Sequence, residues 1–239
     1  MISICMITYN GEKYIKEQID SILAQIGEND EILISDNGSK DGTIDIIQSY
    51  EDHRIRLFHN ISSDKFNGTM KKCYNVGRNA ENVLKRAKGD FIFLADQDDV
   101  WLPNKVTKCI QELNENDLVI TNHIPVDENL KPFASTINEI VIPNLLNTLF
   151  RTQFLGCCMA FKKSLCKYIL PFPKEPLMHD IWIGIMGLKY GKISLIQEPL
   201  LLYRRHANNA SVNIEQKSPN SLRFKLMYRI YLLKAYLEH

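Results

Sequence analysis

The chain has 239 residues, 45% of them hydrophobic and 24% charged, and its formal net charge is +1. These values are typical of a globular protein, and a near-neutral charge gives no reason to expect a nucleic-acid partner. No apolar run is long enough to span a membrane, and residues 1–7 lack the basic start of a signal peptide, so we expect a cytoplasmic protein.

The first half of the chain alternates predicted strands and helices. Apolar or alternating runs predict strands at residues 2–8, 31–35, 54–59 and 90–95, and helical patterns occupy 15–26, 43–50 and 73–87. This alternation predicts a parallel, Rossmann-like sheet flanked by helices. Polar loops follow Thr8, Ser35 and Ala95, at the carboxyl ends of three strands. We therefore expect these loops to meet at one edge of the sheet, where such folds bind ligands.

The second half is less regular. Helical patterns occupy residues 104–113 and 179–189, and β-rich runs occupy 117–124, 153–161 and 192–203. Residues 125–131 indicate a hairpin or loop. Residues 237–239 resemble the start of a purification tag and are set aside.

Residues 220–236 predict a basic amphipathic helix, in which four Lys or Arg residues alternate with apolar ones. Such a helix either packs on the domain or on another copy of the chain, or lies on an anionic membrane. The last alternative would put the protein at the inner face of the membrane.

Three carboxylates lie within four residues at Asp96, Asp98 and Asp99, directly after the apolar strand at 90–95. Like charges this close repel each other unless a cation lies among them. Oxygen ligands suit Mg²⁺ or Mn²⁺, and Mg²⁺ often shares its coordination shell with substrate phosphates. The cluster indicates either a metal–diphosphate site or a solvated turn that caps the next helix.

Three segments, each following a predicted strand, resemble the family 2 glycosyltransferases of GT-A fold. They are Thr8-Tyr9-Asn10-Gly11, Asp36-Asn37-Gly38-Ser39-Lys40-Asp41-Gly42-Thr43 and Asp96-Gln97-Asp98-Asp99. Each motif alone is weak, but the three in this order are specific. The Asp-Gln-Asp-Asp-Val-Trp variant, with a later Tyr-Arg-x-His, is similar to bacterial rhamnosyltransferases of surface polysaccharide synthesis.

The resemblance implies an α/β GT-A domain over residues 1–211, with a mostly parallel central sheet and a small acceptor-side subregion. Residues 1–100 would form the nucleotide-sugar half and 101–211 the acceptor-side half, followed by the helix within 212–236. The implied activity is inverting, metal-dependent transfer of a sugar to a saccharide hydroxyl in cell-surface polysaccharide synthesis.

The resemblance also implies the donor-binding residues for a UDP- or TDP-sugar, with TDP-rhamnose as one candidate. Thr8, Tyr9 and Asn10 would line the nucleoside pocket, and Tyr9 would stack on the base. Asp36 would accept the pyrimidine N3–H, although from the residues alone Asp36 suits a turn that bonds its own backbone. The remaining donor contacts implied are Arg78, Asp96 on the ribose side, and Arg204 on the phosphates.

Asp98 would be the direct metal ligand, with His206 beside the metal or diphosphate, and the ion would be Mg²⁺ or Mn²⁺. Asp180 would be the base that takes the proton of the acceptor hydroxyl. His179 and Trp182 would contact a saccharide or lipid-linked saccharide acceptor. Asn208, Asn209 and Ser211 would form a lid over the donor.

Two other activities stay open at this point. A nucleotidyltransferase also uses acidic metal loops, but it needs a Gly-rich basic loop after the first strand, which Thr8-Tyr9-Asn10-Gly11 does not provide. A non-catalytic sugar-nucleotide-binding subunit is the other alternative, and the presence of both Asp98 and Asp180 argues against it.

Overall fold

The computed structural model describes residues 1–133, 138–150, 154–206 and 220–239. Strands and helices alternate in the first half of the chain. The strands are β1 (Ile2–Thr8), β2 (Glu31–Asp36), β3 (Ile55–His59) and β4 (Phe91–Ala95). The helices between them are α1 (Ile15–Leu23), α2 (Thr43–Gln48) and α3 (Gly68–Leu84).

The second half mixes short strands with helices. The strands are β5 (Val100–Trp101), β6 (Leu118–Val126), β7 (Met159–Lys162) and β8 (Ile193–Arg204). The helices are α4 (Lys105–Glu115), α5 (Leu145–Phe150), α6 (Cys166–Ile169), α7 (His179–Tyr190) and α8 (Leu222–Glu238). Turns of 3-10 helix occupy Gly156–Cys158 and Lys163–Leu165.

The strands form one eight-stranded sheet in the order β3-β2-β1-β4-β7-β6-β8-β5. The β3-β2-β1-β4 half is parallel throughout, and β6 pairs with β8 in parallel. Only the pairings of β7 with its two neighbours and of β5 with β8 are antiparallel among the described strands. The predicted α/β fold with a mostly parallel sheet and flanking helices is confirmed.

Burial explains why three of the first four strands are readable from sequence as apolar runs. Residues of β1, β2 and β4 are buried almost throughout, because helices cover both faces of a parallel sheet. On the helical side, Ile15, Ile19 and Ile22 of α1 are fully buried at the spacing of one helix face. The outcome is a well-covered sheet whose carboxyl edge carries the loops after β1, β2 and β4.

The chain reverses sharply where β1 and β2 end. Asn10 has φ 50° and Gly38 has φ 85°, the left-handed region that Asn and Gly tolerate best. The Asn10 side chain accepts a hydrogen bond from the Lys40 backbone N–H at 2.9 Å, and the Asn10 N–H donates to Ser39 Oγ at 2.8 Å. The first two loops are thus bonded directly to each other.

Several predicted boundaries differ from the observed ones. Helix α3 begins at Gly68, five residues before the predicted start, and the run at 153–161 forms a 3-10 turn before the shorter strand β7. Helix α8 continues through Glu238, into the residues set aside as a tag. The predicted domain boundary at 211/212 and the predicted lid residues lie outside the described residues.

The six cysteines are free thiols, and five of them are buried. Across the described ranges, no helix combines the length and apolar character that crossing a membrane requires.

Candidate active site

Gln97 joins the acidic loop after β4 to the loop after β1. Its Oε1 accepts hydrogen bonds from Thr8 Oγ1 at 2.6 Å and from the Tyr9 backbone N–H at 2.8 Å. Its Nε2 donates to the Tyr9 carbonyl oxygen at 3.1 Å. A Cβ at Gly11 would lie 2.5 Å from Gln97 Oε1, so a side chain there would displace the Gln97 amide. The Tyr9 ring is about half exposed and free to contact a ligand.

Asp36 ends β2 with its carboxylate turned back onto its own loop. Oδ2 accepts from the backbone N–H groups of Gly38 at 2.8 Å and Ser39 at 2.9 Å, and Oδ1 accepts from the Ser39 hydroxyl. Asn79, buried in α3, donates to the carbonyl oxygens of Ser35 at 2.9 Å and Thr8 at 3.4 Å. The ends of β1 and β2 are therefore held together by α3.

Asp98 and His206 lie 108 residues apart in the chain and meet at this edge. His206 Nε2 and Asp98 Oδ2 are separated by 2.9 Å, and both side chains are largely buried. The Tyr14 ring packs on His206 with 4.8 Å between ring centroids. The two residues predicted as metal ligands are thus brought into direct contact.

Arg204 stabilises the acidic loop through hydrogen bonds from both its backbone and its side chain. Its backbone N–H donates to Asp99 Oδ1 at 3.0 Å, and its Nε donates to the Asp98 carbonyl oxygen at 2.8 Å. The guanidinium also donates to the Glu128 carbonyl oxygen at 2.6 Å and pairs with Glu17. Arg204 is almost fully buried, so these contacts give it a structural role in holding the loop.

A second cluster lies beside the Asp98–His206 pair. Ligand atoms of Asp96, Asp99 and Cys157 all lie within 4.8 Å of one another. Burial raises the pKa of Asp96 to about 7, opposed by the nearby His179 and reinforced by Asp98. Burial, followed by the charges of Asp98 and Asp96, holds the pKa of Asp99 well above its usual range.

The residues of this edge suit a divalent cation. Asp99 Oδ2 is buried beside the Cys157 thiol, and ionising a carboxyl group in such a place is costly unless a cation compensates the charge. Carboxylate oxygens and an imidazole are ligands that Mn²⁺ accepts, and the oxygens also suit Mg²⁺. The acidic group is consistent with a metal site, and it does not select one ion.

The start of α7 brings His179 and Asp180 to the acidic loop. Both are close enough to Asp96 for their charges to change its pKa. Met178 is the N-cap of α7, and Asp180 Oδ1 accepts from the Ile181 N–H at 2.7 Å. Burial raises the pKa of Asp180 to about 6, against the opposing hydrogen bonds of the Ile181 and Asp180 N–H groups. A carboxylate with a pKa near neutrality is suited to general-base work.

His179 packs against the backbone of Gly156, where a Cβ would lie 2.6 Å from its Nε2. Burial lowers the pKa of His179, and the nearby Asp96 opposes that shift. Its buried Nδ1 has no hydrogen-bond partner.

One predicted contact requires revision. Trp182 is not an accessible acceptor platform: it is fully buried, and its Nε1 donates to the Ile169 carbonyl oxygen at 2.9 Å. Helix α7 is buried on most of its circumference, and the indole fills the interior. Arg78 forms an ion pair with Glu81 at 2.6 Å and donates to the Pro173 carbonyl oxygen at 2.7 Å. The structure thus ties Arg78 to α3 and to the segment before α7, and its donor contact stays a prediction.

The sequence analysis missed the linking residues. Gln97 joins the loops after β1 and β4, and Glu17 pairs with Arg204, which holds the acidic loop. Neither Gln97 nor Glu17 stands out in the sequence by residue type or periodicity. The only available signal for Gln97 was its position inside the Asp96–Asp99 motif.

The Rossmann-like sheet, with acidic and polar loops gathered at its carboxyl edge, has the architecture of a GT-A domain. The family model described as Glycosyl transferase family 2 matches residues 3–170. The chain therefore belongs to glycosyl transferase family 2, and the enzyme class that the family defines is glycosyltransferase.

Sequence relatives agree with this assignment. An uncharacterized glycosyltransferase of Rickettsia prowazekii is 38% identical over 221 residues, covering 87% of this chain and 64% of the relative. The UDP-Glc:alpha-D-GlcNAc-diphosphoundecaprenol beta-1,3-glucosyltransferase WfgD of Escherichia coli is 27% identical over 219 residues, covering 89% of this chain and 79% of WfgD. This chain thus spans about two thirds of the Rickettsia protein's length.

Among solved structures, S. aureus TarS 1-349 in complex with UDP-GlcNAc aligns with a TM-score of 0.70 and 18% identity. The alignment covers 98% of this chain and 67% of that one. At this identity the likeness supports the fold alone.

Proposed function

We propose that this protein transfers a sugar from a nucleoside diphosphate to a saccharide hydroxyl, with inversion at the anomeric carbon. The observation that carries the proposal is the position of Asp180 beside the acidic loop, with its pKa raised to about 6. The donor loops and a candidate base thus meet at one edge of the sheet. This arrangement suits a single displacement, in which the acceptor oxygen attacks as the base takes its proton.

The donor half of the site consists of the loops after β1, β2 and β4. The exposed Tyr9 ring supports stacking on the nucleotide base of the donor. Gln97 fixes the Tyr9 backbone by bonding both its N–H and its carbonyl oxygen. The Asp36 carboxylate already holds its loop, so a contact with the pyrimidine N3–H would add to that role. A UDP- or TDP-sugar is the proposed donor, and TDP-rhamnose is the narrower candidate that the sequence resemblance suggests.

Asp98 and His206 are the proposed ligands for Mg²⁺ or Mn²⁺, supported by their 2.9 Å contact and their burial. A bound divalent ion would act as a Lewis acid that neutralises charge on the departing nucleoside diphosphate. Asp96 is proposed on the ribose side of the donor and His179 on the acceptor side. WfgD is named for a lipid-linked saccharide acceptor, which supports an acceptor of that chemical class.

Thermal unfolding in the presence of UDP-, TDP- and GDP-sugars with Mn²⁺ or Mg²⁺ tests the donor class. A ligand that binds only the folded state raises the apparent unfolding temperature. We expect stabilisation by a UDP- or TDP-sugar that requires the divalent ion. Stabilisation by GDP-sugars alone would contradict the donor class, and the absence of any shift would contradict the proposed function.

Replacement of Gln97 by Ala should weaken donor binding. The change removes three hydrogen bonds, at about 1 kcal/mol each when partly compensated by water, so we expect the donor KM to rise about tenfold or more. The value of kcat should change less, because Gln97 contacts the loop backbone and not Asp180. Steady-state kinetics and nucleotide titration measure both quantities.

The matched control for that change is Gln48→Ala, at the exposed end of α2. Its kinetic constants should equal those of the wild type. An unchanged nucleotide affinity in Gln97→Ala would show that the fixed Tyr9 backbone is not needed for donor binding.

A further inference from the structure

Helix α8 carries a second apolar face that the domain does not cover. Its members recur every three or four residues, with exposed fractions from 39% at Leu233 to 85% at Leu222. At about 100° per residue they fall within one arc of about 80° on the helix. We name this surface the leucine stripe, and its residues are Leu222, Leu226, Ile230, Leu233 and Leu237.

The opposite face of α8 is bound to the domain. Leu232 and Ala235 are buried in the core, and the Tyr228 hydroxyl accepts a hydrogen bond from the Met178 N–H at 3.0 Å. Lys189 Nζ, near the end of α7, donates to the Tyr236 carbonyl oxygen at 2.8 Å. Both ends of α7 are therefore attached to α8, and the leucine stripe faces away from them.

Exposed apolar side chains continue beside the helix. Arg229 Nε donates to the Leu149 carbonyl oxygen at 2.7 Å, which fixes α5 against α8. In and before α5, Val141, Ile142 and Leu146 are more than half exposed. Helix α5, which is bound to α8, thus carries an exposed apolar residue of its own in Leu146.

Basic residues border the leucine stripe on both sides. Helical geometry puts Arg223 and Lys234 along one border and Lys225 and Arg229 along the other, while Glu238 is the only acidic residue of the helix. Lys234 is ion-paired with Glu175 at 2.7 Å, and Arg229 is bound to the Leu149 carbonyl, so Arg223 on one border and Lys225 on the other are the principal charges toward a partner. A second copy of the chain would bring the same basic borders against these, and like charges across an interface oppose association. Anionic lipid headgroups would complement both borders while the stripe enters the acyl boundary.

We infer that α8 is a docking surface for an anionic lipid bilayer, with the leucine stripe inserted and its basic borders at the headgroups. The hydrogen bond from Met178 to Tyr228 lies two residues from Asp180, so docking would hold the start of α7 near the bilayer. The presentation of a lipid-linked acceptor to Asp180 would follow, and that consequence alone rests on the proposed function.

Cosedimentation with phosphatidylcholine vesicles, with and without phosphatidylglycerol, tests the docking. We expect the wild-type chain to bind the anionic vesicles, to bind less at high salt, and to leave pure phosphatidylcholine vesicles unbound. The double change Leu226→Glu with Ile230→Glu should weaken binding about tenfold or more, because two inserted side chains are lost. Arg223→Gln should weaken it about fivefold and flatten the salt dependence.

Ile61→Glu is the matched control, because Ile61 is the most exposed large apolar residue of the described ranges and lies before α3, outside α8 and α5. It should bind vesicles as the wild type does. The inference is overturned if wild type ignores anionic vesicles, or if the double variant binds them equally well. A wild-type dimer that the double variant converts to monomer, without vesicle binding, would assign the stripe to a second copy. Sugar-nucleotide binding, measured in parallel, separates any of these failures from failure of the proposed function.

Discussion

Asp180→Asn should abolish sugar transfer while nucleotide binding survives. The amide keeps nearly the same volume and can still accept the Ile181 N–H, but it cannot take a proton from the acceptor hydroxyl. General-base catalysis contributes about 10²–10⁴-fold to a rate, and we expect kcat to fall by that range. Nucleotide affinity should stay at the wild-type value, because the donor loops do not depend on this carboxylate.

The pH profile provides a second test of the same assignment. A base must be deprotonated to act, and burial raises the pKa of Asp180 to about 6. Below that value kcat/KM should fall about tenfold per pH unit, and above it the rate should level off. If Asp96, with its pKa raised to about 7, were the base instead, the inflection would lie about one unit higher.

The control is Asp45→Asn, the same chemical change in the first turn of α2, where the side chain is exposed. Its kcat should be unchanged. An Asp180→Asn enzyme that keeps wild-type kcat, or loses activity only in step with nucleotide affinity, would contradict the base assignment.

The sequence was sufficient to predict a mostly parallel sheet and to predict that the loops after β1, β2 and β4 meet at one edge. Strands β1, β2 and β4 were readable because a parallel sheet covered on both faces requires continuous apolar runs, and Asp36 and Asp96 lie at the ends of such runs. Strand β3 lies at the edge of the sheet and was readable from its alternation. The resemblance also linked Asp98 with His206 across 108 residues, and the structure brings them to 2.9 Å. Their metal roles stay predictions.

Side-chain direction was harder to predict. The guanidinium of Arg204 bonds the Asp98 and Glu128 carbonyls, because buried carbonyl oxygens at the loop need donors, and its contact with the phosphates stays a prediction. Trp182 was predicted at the acceptor, yet α7 is buried on most sides, so no polar face indicated which side chains reach the site. Such outcomes depend on tertiary partners that local patterns do not specify.

Helix α8 illustrates the same limit in another form. The alternation of basic and apolar residues predicted one apolar face, either packed or on a membrane. The structure has two such faces, since the face that carries Tyr228 packs on α7 while the leucine stripe stays exposed. The predicted alternatives therefore do not exclude each other.

Asp98→Asn should remove the dependence of nucleotide binding on a divalent ion. In the wild type, Mn²⁺ should increase UDP affinity relative to chelator, because a cation among Asp96, Asp98 and Asp99 relieves their repulsion and attracts the diphosphate. The variant loses one negative ligand beside His206, so titrations with Mn²⁺ and with chelator should give the same affinity. Lewis-acid stabilisation of several kcal/mol implies a loss of kcat of about a hundredfold or more.

Two further variants make this result specific. Asp90→Asn changes an exposed carboxylate at the opposite end of β4, and its response to Mn²⁺ should equal that of the wild type. Cys157→Ser alters the neighbouring cluster of Asp96, Asp99 and Cys157 and should also keep the full Mn²⁺ response. If Cys157→Ser loses that response while Asp98→Asn keeps it, the ion binds in the neighbouring cluster, and the predicted ligand pair is wrong. Because Asp98 and Asp99 point to different partners, His206 and the Arg204 backbone, these titrations separate two sites that share one loop.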